Sequence, residues 1–507
     1  MTDEKSDSAI GIVTVKDLEL TSSAPTWYKS SHLLKLNFII VSLVLFSSAN
    51  GYDGSLMNGL QALHQWTGYF EEPKGAWLGF INAIYWLGCG ITYPIAAYVA
   101  NKWGRKAGVY AGYLFLILAA ALQTAAPNVT AFLLARFFVG IAAAWFGNCV
   151  PLLINEIAYP TQRSIANALF MCGWYVGGSL AAWITFGTRD MASSWAWRIP
   201  SLLQALVPFM ALPGFLMAPQ SPRWLISVGR TEEAREILVR FHAGGDTNSQ
   251  LIRAEMTEIT NAIQREQKAY ASAGYMDMIK TPGNRKRLFI SISLGIFAQW
   301  TGNGVVSYYL ALVLTTVGVT SSSDQTMISA CLQVWNLIWS IIAAFCVDRI
   351  GRRPMFLVSA TIMTISFGLV TGLSGAFAES GQSATGLAVI PFLFLFFAGY
   401  DIALTPFLTA YPCEIWQYSL RSRGLTVTWV STISAIFFNT FINPIALDNI
   451  GWKYYIVFIV VLCIFGVTAY LFYPETKGYT LEEMTDIFDT GAIAAPLRKA
   501  ESVYQQV

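Results

Sequence analysis

Two ionisable side chains lie inside long apolar stretches of the chain. Asp53 occurs in the run 33–59, in the sequence Gly51-Tyr52-Asp53-Gly54, and Arg136 occurs in the run 130–152. Insertion of a charge at the centre of a bilayer costs about 2.5–3.5 kcal/mol, so intramembrane charges are rare and usually functional. These two residues are therefore the first candidates for chemistry.

The positions of Asp53 and Arg136 along their runs predict that the two side chains pair. If the run of Asp53 leads outward and that of Arg136 leads inward, both lie about 9–10 Å below the outer surface at 1.5 Å per residue. Pairing reduces the cost of burying each charge. Protonation of Asp53 would then release Arg136, which gives a two-state element that senses the proton. The alternative is a static ion pair with a structural role.

Asp401 is a third acid inside an apolar run, 386–413. Three interpretations stay open for it: a rival proton site, an acceptor for the hydroxyl groups of a ligand, or a group held neutral by burial.

A charged motif occurs twice, each time in a short break between apolar runs. Asn101-Lys102-Trp103-Gly104-Arg105-Lys106 returns as Asp348-Arg349-Ile350-Gly351-Arg352-Arg353, and each copy is followed by a glutamate that precedes an arginine by seven residues. Anchoring of loops by positive charge explains the arginines but not the glutamates. We therefore predict ion pairs that close one end of the molecule when the other end is open. The residues of this predicted gate are Gly104, Arg105, Glu156, Arg163, Asp348, Gly351, Arg352, Glu414 and Arg421.

Twelve apolar runs position these residues, each long enough to cross a bilayer as a helix of about 20 residues. The chain is 55% hydrophobic and only 12% charged, and a polar linker, 218–286, divides the runs into two groups of six. Duplicated hydrophobic halves are typical of secondary transporters, whose substrate site lies between the halves near the bilayer midplane. The predicted fold is an all-α membrane protein with two pseudo-symmetric six-helix bundles. The predicted spans 1–12 are 33–59, 77–100, 107–126, 130–152, 164–187, 197–217, 287–317, 326–347, 354–375, 386–413, 424–446 and 452–472.

The predicted domains follow from these runs. A tail, 1–32, precedes the first half, 33–217, and the second half, 287–472, is followed by a tail, 473–507. Nine Lys and Arg residues occupy the four short even-numbered connections, against four in or beside the six odd-numbered ones. Because cytosolic loops carry the excess of positive charge, we predict that both termini and the linker face the cytosol. Asn128 of Asn128-Val129-Thr130 then lies on a short outer loop as a glycosylation candidate.

The repeated loop motifs are joined by two more, Pro219-Gln220-Ser221-Pro222-Arg223 after span 6 and Pro474-Glu475-Thr476-Lys477-Gly478 after span 12. Together they resemble the sugar porter family of the major facilitator superfamily over nearly the whole chain. In span 7, the segment 297–304 and the pair Tyr308-Tyr309 look most like the fungal lactose and cellodextrin permease branch.

The resemblance implies a major facilitator fold and a sugar substrate. Asp53 and Arg136 match the proton-coupling Asp–Arg pair of the family's symporters, whereas facilitators carry a neutral residue at the position of Asp53. The family's motifs have Asp and Glu where this chain has Asn101 and Gln220. We therefore expect a weaker gate in the first half.

Four positions depart from the monosaccharide porters of the family, which usually carry Gln, Asn, Trp and Gln at Ala298, Gly304, Thr409 and Met171. Smaller residues at the first three positions predict a roomier cavity, consistent with two sugar rings. A disaccharide of the lactose or cellobiose type is therefore the predicted substrate.

Amide and aromatic side chains in the spans suit a sugar, because amides donate and accept hydrogen bonds and rings stack on C–H faces. Asn336 matches the sugar-binding Asn of the family in span 8. The alternatives are interhelical hydrogen bonds for the amides and packing for the aromatic rings. The predicted substrate-binding residues are Gln299, Asn303, Asn336, Tyr308, Trp335, Trp429 and Thr409.

Three functions compete. We expect proton-coupled uptake of a disaccharide, with the proton as coupling ion and no cofactor. A facilitative or proton-coupled monosaccharide transporter is the alternative, and a non-transporting sugar sensor is disfavoured by the short tail of about 35 residues after span 12. A pump is disfavoured because no Gly-Lys-[Ser/Thr] phosphate loop occurs, and the scattered His32, His64 and His242 argue against a metal site.

No soluble domain is present to host an enzyme. The expected partners are a sugar and the lipid bilayer, not nucleic acid. We expect a monomer in the plasma membrane.

Overall fold

The structure is a computed structural model that describes residues 27–272, 274–417, 419–479, 484 and 487–489. Helices make up nearly all of this part of the chain. Eleven of its segments are long and apolar enough to cross a membrane, and the last of them, 421–472, contains two helices. The predicted all-α fold with twelve spans is thus confirmed.

The spans of the first half alternate in direction with short connections between them. Their helices are Ser31–Val44 and Phe46–Gln61 (span 1), Gly75–Trp103 (span 2), Arg105–Ala125 (span 3), Val129–Ile157 (span 4), Arg163–Thr188 (span 5), and Trp195–Leu203 with Leu206–Met217 (span 6).

The spans of the second half repeat this order. Their helices are Pro282–Trp300 and Asn303–Thr316 (span 7), Ser322–Ile350 (span 8), Arg352–Ser380 (span 9), Val389–Ile415 (span 10), Arg421–Ile450 (span 11) and Tyr455–Phe472 (span 12). Span 7 begins five residues before the predicted 287, because Pro282 at its first position and the Thr281 side chain, which accepts a hydrogen bond from the Asn284 amide, extend the helix into polar sequence.

Shorter helices lie outside the spans. Four of them form the linker, and two join spans on the side away from it. These helices are His64–Tyr69, Pro222–Ser227, Thr231–His242, Gln250–Ser272, Asp277–Lys280 and Ser383–Leu387, with 3-10 turns at Trp27–Lys29, Pro160–Gln162 and Gly451–Tyr454. We call the face with the linker the linker side and the other face the opposite side.

Glycines at the two motif breaks let the chain turn sharply between spans. Gly104 separates spans 2 and 3 with a φ of 87°, and Gly351 separates spans 8 and 9 with a φ of 104°. Both values lie where residues with a Cβ are strained. The repeated motif therefore places its arginines, Arg105 and Arg352, at the first position of spans 3 and 9.

Spans 1 and 5 approach each other at backbone distance. A Cβ added to Gly51 would lie 1.8 Å from the carbonyl oxygen of Trp174, and one added to Gly177 would lie 1.9 Å from that of Ser48. Small residues permit such close packing of membrane helices. This contact fixes the segment of span 1 that carries Asp53.

Candidate functional site

Asp53 and Arg136 are in contact inside the first half. Arg136 Nη1 donates to Asp53 Oδ1 over 2.6 Å, and the two residues are 3% and 1% exposed. The guanidinium carbon lies 5.3 Å from the ring centroid of Tyr85, within range of a cation–π interaction. Asp53 Oδ2 has no hydrogen-bond partner, so one carboxylate oxygen is left to take a proton. The proton-coupling role of the pair stays a prediction.

The same turn of span 1 contacts the second half. Gln333 of span 8 donates from Nε2 to the Ser55 hydroxyl over 3.2 Å. Residues two apart on a helix do not face the same way. Asp53 therefore faces Arg136 within the first half, while Ser55 faces the second half.

Two amides near the end of span 1 hold span 7 on the opposite side. Asn58 donates to the carbonyl of Ser307 and accepts from the amide of Leu310 over 3.0 Å. Gln61 donates to the carbonyl of Tyr308 over 2.9 Å. We call these bonds the span 1–span 7 clasp.

The backbone of span 7 explains why the clasp forms there. Tyr309 has non-helical angles, φ −137° and ψ 29°, so the helix is kinked at this point. A kink frees backbone donors and acceptors, which must find protein partners where no water reaches them. Asn58 and Gln61 bond groups on both sides of Tyr309.

Span 5 of the first half contacts the second half at mid-depth. Met171 and Tyr175 lie one turn apart on the same face of span 5, and Tyr175 contacts Asp401 of span 10. Tyr175 is 8% exposed, whereas Met171, one turn nearer the linker side, is 45% exposed. Span 5 is thus covered at Tyr175 and exposed at Met171, while the clasp closes the opposite side.

Among the predicted sugar-binding amides, Gln299 and Asn336 lie near the middle of their spans. They are 6% and 2% exposed, and Gln299 Oε1 and Asn336 Oδ1 have no hydrogen-bond partner. Asn303 follows the break in span 7 at Gly302 and accepts from the Ser307 hydroxyl over 2.7 Å. The first two amides therefore retain acceptors for a ligand.

The space beside Gly304 is filled by an amide that the sequence analysis did not single out. A Cβ at Gly304 would lie 2.1 Å from Nδ2 of Asn439 in span 11. Asn439 donates to the Gln299 carbonyl over 2.7 Å. Ala298 is fully buried. The expected roomier cavity is therefore not found at these two positions, because neighbouring side chains occupy the space.

The predicted aromatic platforms differ in their surroundings. Trp335 donates from Nε1 to the carbonyl of Phe394 over 2.8 Å, so its indole is engaged in packing between spans 8 and 10. The Tyr308 ring lies 6.2 Å from that of Trp86 in the first half. Trp429 and Thr409 are half-buried.

Both repeated gate motifs form bidentate ion pairs. Arg105 pairs with Glu156 through two bonds of 2.8 Å, and Arg352 pairs with Glu414 through bonds of 2.8 and 3.1 Å. Each pair joins the start of one span to the end of the next within one half. These pairs therefore brace each half separately in this conformation.

The motifs after spans 6 and 12 cap the helices that follow the two glycines. Glu475 accepts from the amides of Arg352 and Arg353, each over 3.0 Å, whereas Gln220 accepts from the amide of Lys106 over 3.5 Å. A carboxylate at a helix N-terminus is more stabilising than a neutral amide. The difference between the two halves that Gln220 led us to expect is visible in these distances, because the bond in the first half is longer.

Arg163 pairs with the linker. It bonds Glu255 over 3.1 Å, and Glu255 Oε2 lies 2.7 Å from His242 Nδ1. Arg421 is the first residue of span 11. Asp348 lies in span 8, but its side chain is outside the described part of the structure.

Asn128 is exposed and its side-chain oxygen caps span 4 by accepting from the Ala131 amide over 2.9 Å. Its glycosylation stays a prediction.

The described geometry defines a class of protein: a membrane transporter with two six-helix halves, polar groups between them at mid-depth, and one side closed. A family model described as "Sugar (and other) transporter" matches residues 39–488. The chain therefore belongs to this sugar transporter family of the major facilitator superfamily, and it is a transporter rather than an enzyme.

Curated relatives are similar over most of the chain. A glucose transporter of Aspergillus flavus is 27% identical, over 87% of this chain and 87% of the relative. A high-affinity glucose transporter of Kluyveromyces lactis is 25% identical, over 91% and 87%. An inward-open structure of the E. coli xylose transporter XylE has a TM-score of 0.74 at 21% identity, over 89% and 99%; this likeness supports the fold.

Polar residues that sequence reasoning missed carry much of the site. Asn58, Gln61, Gln333 and Asn439 are amides inside apolar spans, and Tyr175 is the partner of Asp401. An amide inside an apolar span was the signal that indicated Gln299 and Asn336, and the same signal is present at these four positions. Their partners, however, lie 140 to 278 residues away in sequence, so only the folded arrangement reveals their roles.

Asn58→Ala should open the opposite side, because it removes two bonds to the kinked backbone of span 7. Two such bonds correspond to about tenfold in the ratio of conformers. Met191 and Ser321 are exposed on that side in different halves. Spin labels at these two positions would report a longer label-to-label distance by pulsed electron paramagnetic resonance. Gln123→Ala, which removes a buried amide bonded within the first half, is the matched control. An unchanged distance in Asn58→Ala would contradict the clasp.

Proposed function

We propose that this protein is a proton-coupled importer of single-ring sugars such as hexoses or pentoses. The observation that carries the proposal is the buried Asp53–Arg136 pair on the same turn of span 1 as the inter-half contact of Ser55. Asp53, the proposed proton-binding group, therefore lies on the same helical turn as a contact between the halves, and this contact must open and close during transport.

A cycle follows from this arrangement. Ionised Asp53 holds Arg136, and protonation of Asp53 removes the charge that attracts the guanidinium, which keeps the ring of Tyr85 as a neighbour. Loss of the ion pair frees span 1 to move relative to span 4. Proton and sugar then favour one conformer only to the extent that each binds it more tightly than the other conformer.

The proposal of a single ring rests on Asn439. The position of Gly304 lacks the amide of monosaccharide porters, but Asn439 brings an amide to the same place. Together with Gln299 and Asn336, it gives three amides for the hydroxyls of one ring. The resemblance of span 7 to the lactose and cellodextrin branch supports the two-ring alternative, which needs space that Asn439 and the packing of Ala298 take up.

The ion pairs of the motifs have a second role in the proposal. Arg105–Glu156 and Arg352–Glu414 lie at the linker-side ends of spans 3, 4, 9 and 10. We infer that they keep each half rigid as it rotates and that exchange of partners across the halves closes the linker side.

The linker side is proposed to be the cytosolic side, in line with the excess of positive loop charges. The plasma membrane and a monomeric state complete the proposal.

Asp53→Asn should abolish accumulation of sugar against its gradient, because an amide cannot carry the proton. Counterflow of labelled sugar, which needs no net proton movement, should persist in vesicles. Asp190→Asn, the same change at an acid that is 79% exposed, should leave both activities intact. Accumulation by Asp53→Asn at the wild-type level would refute proton coupling through this residue.

Glucose or xylose should compete with labelled sugar in counterflow better than lactose or cellobiose does. Asn439→Ala should weaken that competition by up to roughly tenfold, the value of one hydrogen bond. Asn449→Ala provides the control, since this exposed amide of span 11 bonds only its own helix in the described structure. Tighter competition by the disaccharides would show that the cavity accepts two rings.

A further inference from the structure

Asp401 makes a hydrogen bond that crosses between the halves at the middle of the membrane. The hydroxyl of Tyr175 in span 5 donates to Asp401 Oδ1 in span 10, and this oxygen also accepts from Thr405 over 2.8 Å. Both acid and tyrosine lie near the middle of their spans. The bond therefore joins the two halves at the level of the amides assigned to the sugar.

The surroundings of Asp401 contain hydroxyl groups but no cation partner. The residue is fully buried, its Oδ2 has no hydrogen-bond partner, and none of the ion pairs found among the described residues includes it. Its titratable neighbours are Tyr175 and Cys172 of span 5 and Tyr400 of span 10. The central parts of spans 7, 8, 9 and 11 contain no Asp, Glu, Lys, Arg or His, and span 7 adds Tyr308, a titratable neighbour of Tyr400.

The strength of the link between the halves depends on the charge of Asp401. A hydrogen bond from a hydroxyl to a carboxylate is roughly twice as strong as one to a neutral acceptor. Protonation of Asp401 therefore weakens the hydrogen bond from Tyr175, although the two side chains can stay in contact. The hydroxyl of Thr405, on the same helix as Asp401, lies 3.3 Å from that of Tyr175 and belongs to the same contact between the halves.

We propose that Asp401 is a second proton-responsive group, separate from Asp53, which controls the contact between the halves through Tyr175. The ionised carboxylate stabilises the conformer with the opposite side closed, and protonation favours opening of that side. The role of this group in transport rests on the proposed proton-coupled function. The hydrogen bond between Tyr175 and Asp401 is a property of the sugar-free protein.

The first test compares single variants in the sugar-free protein, labelled at Met191 and Ser321. Tyr175→Phe and Asp401→Asn should both increase the population with the longer distance, about tenfold for the loss of a charge-assisted bond. Tyr400→Phe, the same change at a neighbouring tyrosine whose hydroxyl bonds the Ala298 carbonyl within the second half, should leave the distribution near that of the wild type. Equal shifts in all three variants would indicate a local packing effect and overturn the proposal.

The second test isolates the proton. In an Asp53→Asn background, the distance distribution should still shift toward the open conformer from mildly alkaline to mildly acidic pH. The shift should vanish in Asp53→Asn with Asp401→Asn, whose amide keeps the shape of the side chain. A pH-independent distribution in the first protein, or a persistent shift in the second, would overturn the role of Asp401. Neither outcome depends on transport, so failure of the proposed function is detected separately.

Discussion

A single buried ion pair gives the rest of the molecule its arrangement. Arg136 and Asp53 are almost completely removed from solvent and 2.6 Å apart. Either charge alone at this depth would be costly, so the pair holds spans 1 and 4 together as long as both are ionised. The close backbone contact of Gly51 with Trp174 holds the same turn against span 5. A change of charge at Asp53 therefore acts on a segment that cannot adjust in isolation.

The lack of water in a bilayer core connects this pair to the rest of the site. Buried polar groups there must bond to protein, and the kink at Tyr309 frees groups that Asn58 and Gln61 satisfy. Tyr175 and Asp401 meet the same requirement across the halves. Part of the contact between the halves therefore consists of side-chain hydrogen bonds, which are individually weak enough to exchange during a transport cycle.

The sequence predicted the large features because they follow from strong local signals. Apolar runs of bilayer length define the spans, and the repeated Gly104 and Gly351 motifs mark equivalent turns. The sugar pocket was less predictable, since the loss of an amide at Gly304 looked like free space. Asn439, 135 residues further along the chain, fills that space. Compensation between distant spans has no signature in one sequence, because it depends on which helix faces are in contact.

Proton movement that accompanies sugar influx tests the central claim most directly. Purified wild-type protein in vesicles, loaded with a trapped pH indicator and supplied with sugar but no pH gradient, should acidify the lumen as sugar enters. Clamping the electrical potential at zero should leave the acidification in place, because the sugar gradient itself drives it. Sugar influx without any change in luminal pH would contradict proton coupling and identify the protein as a facilitator.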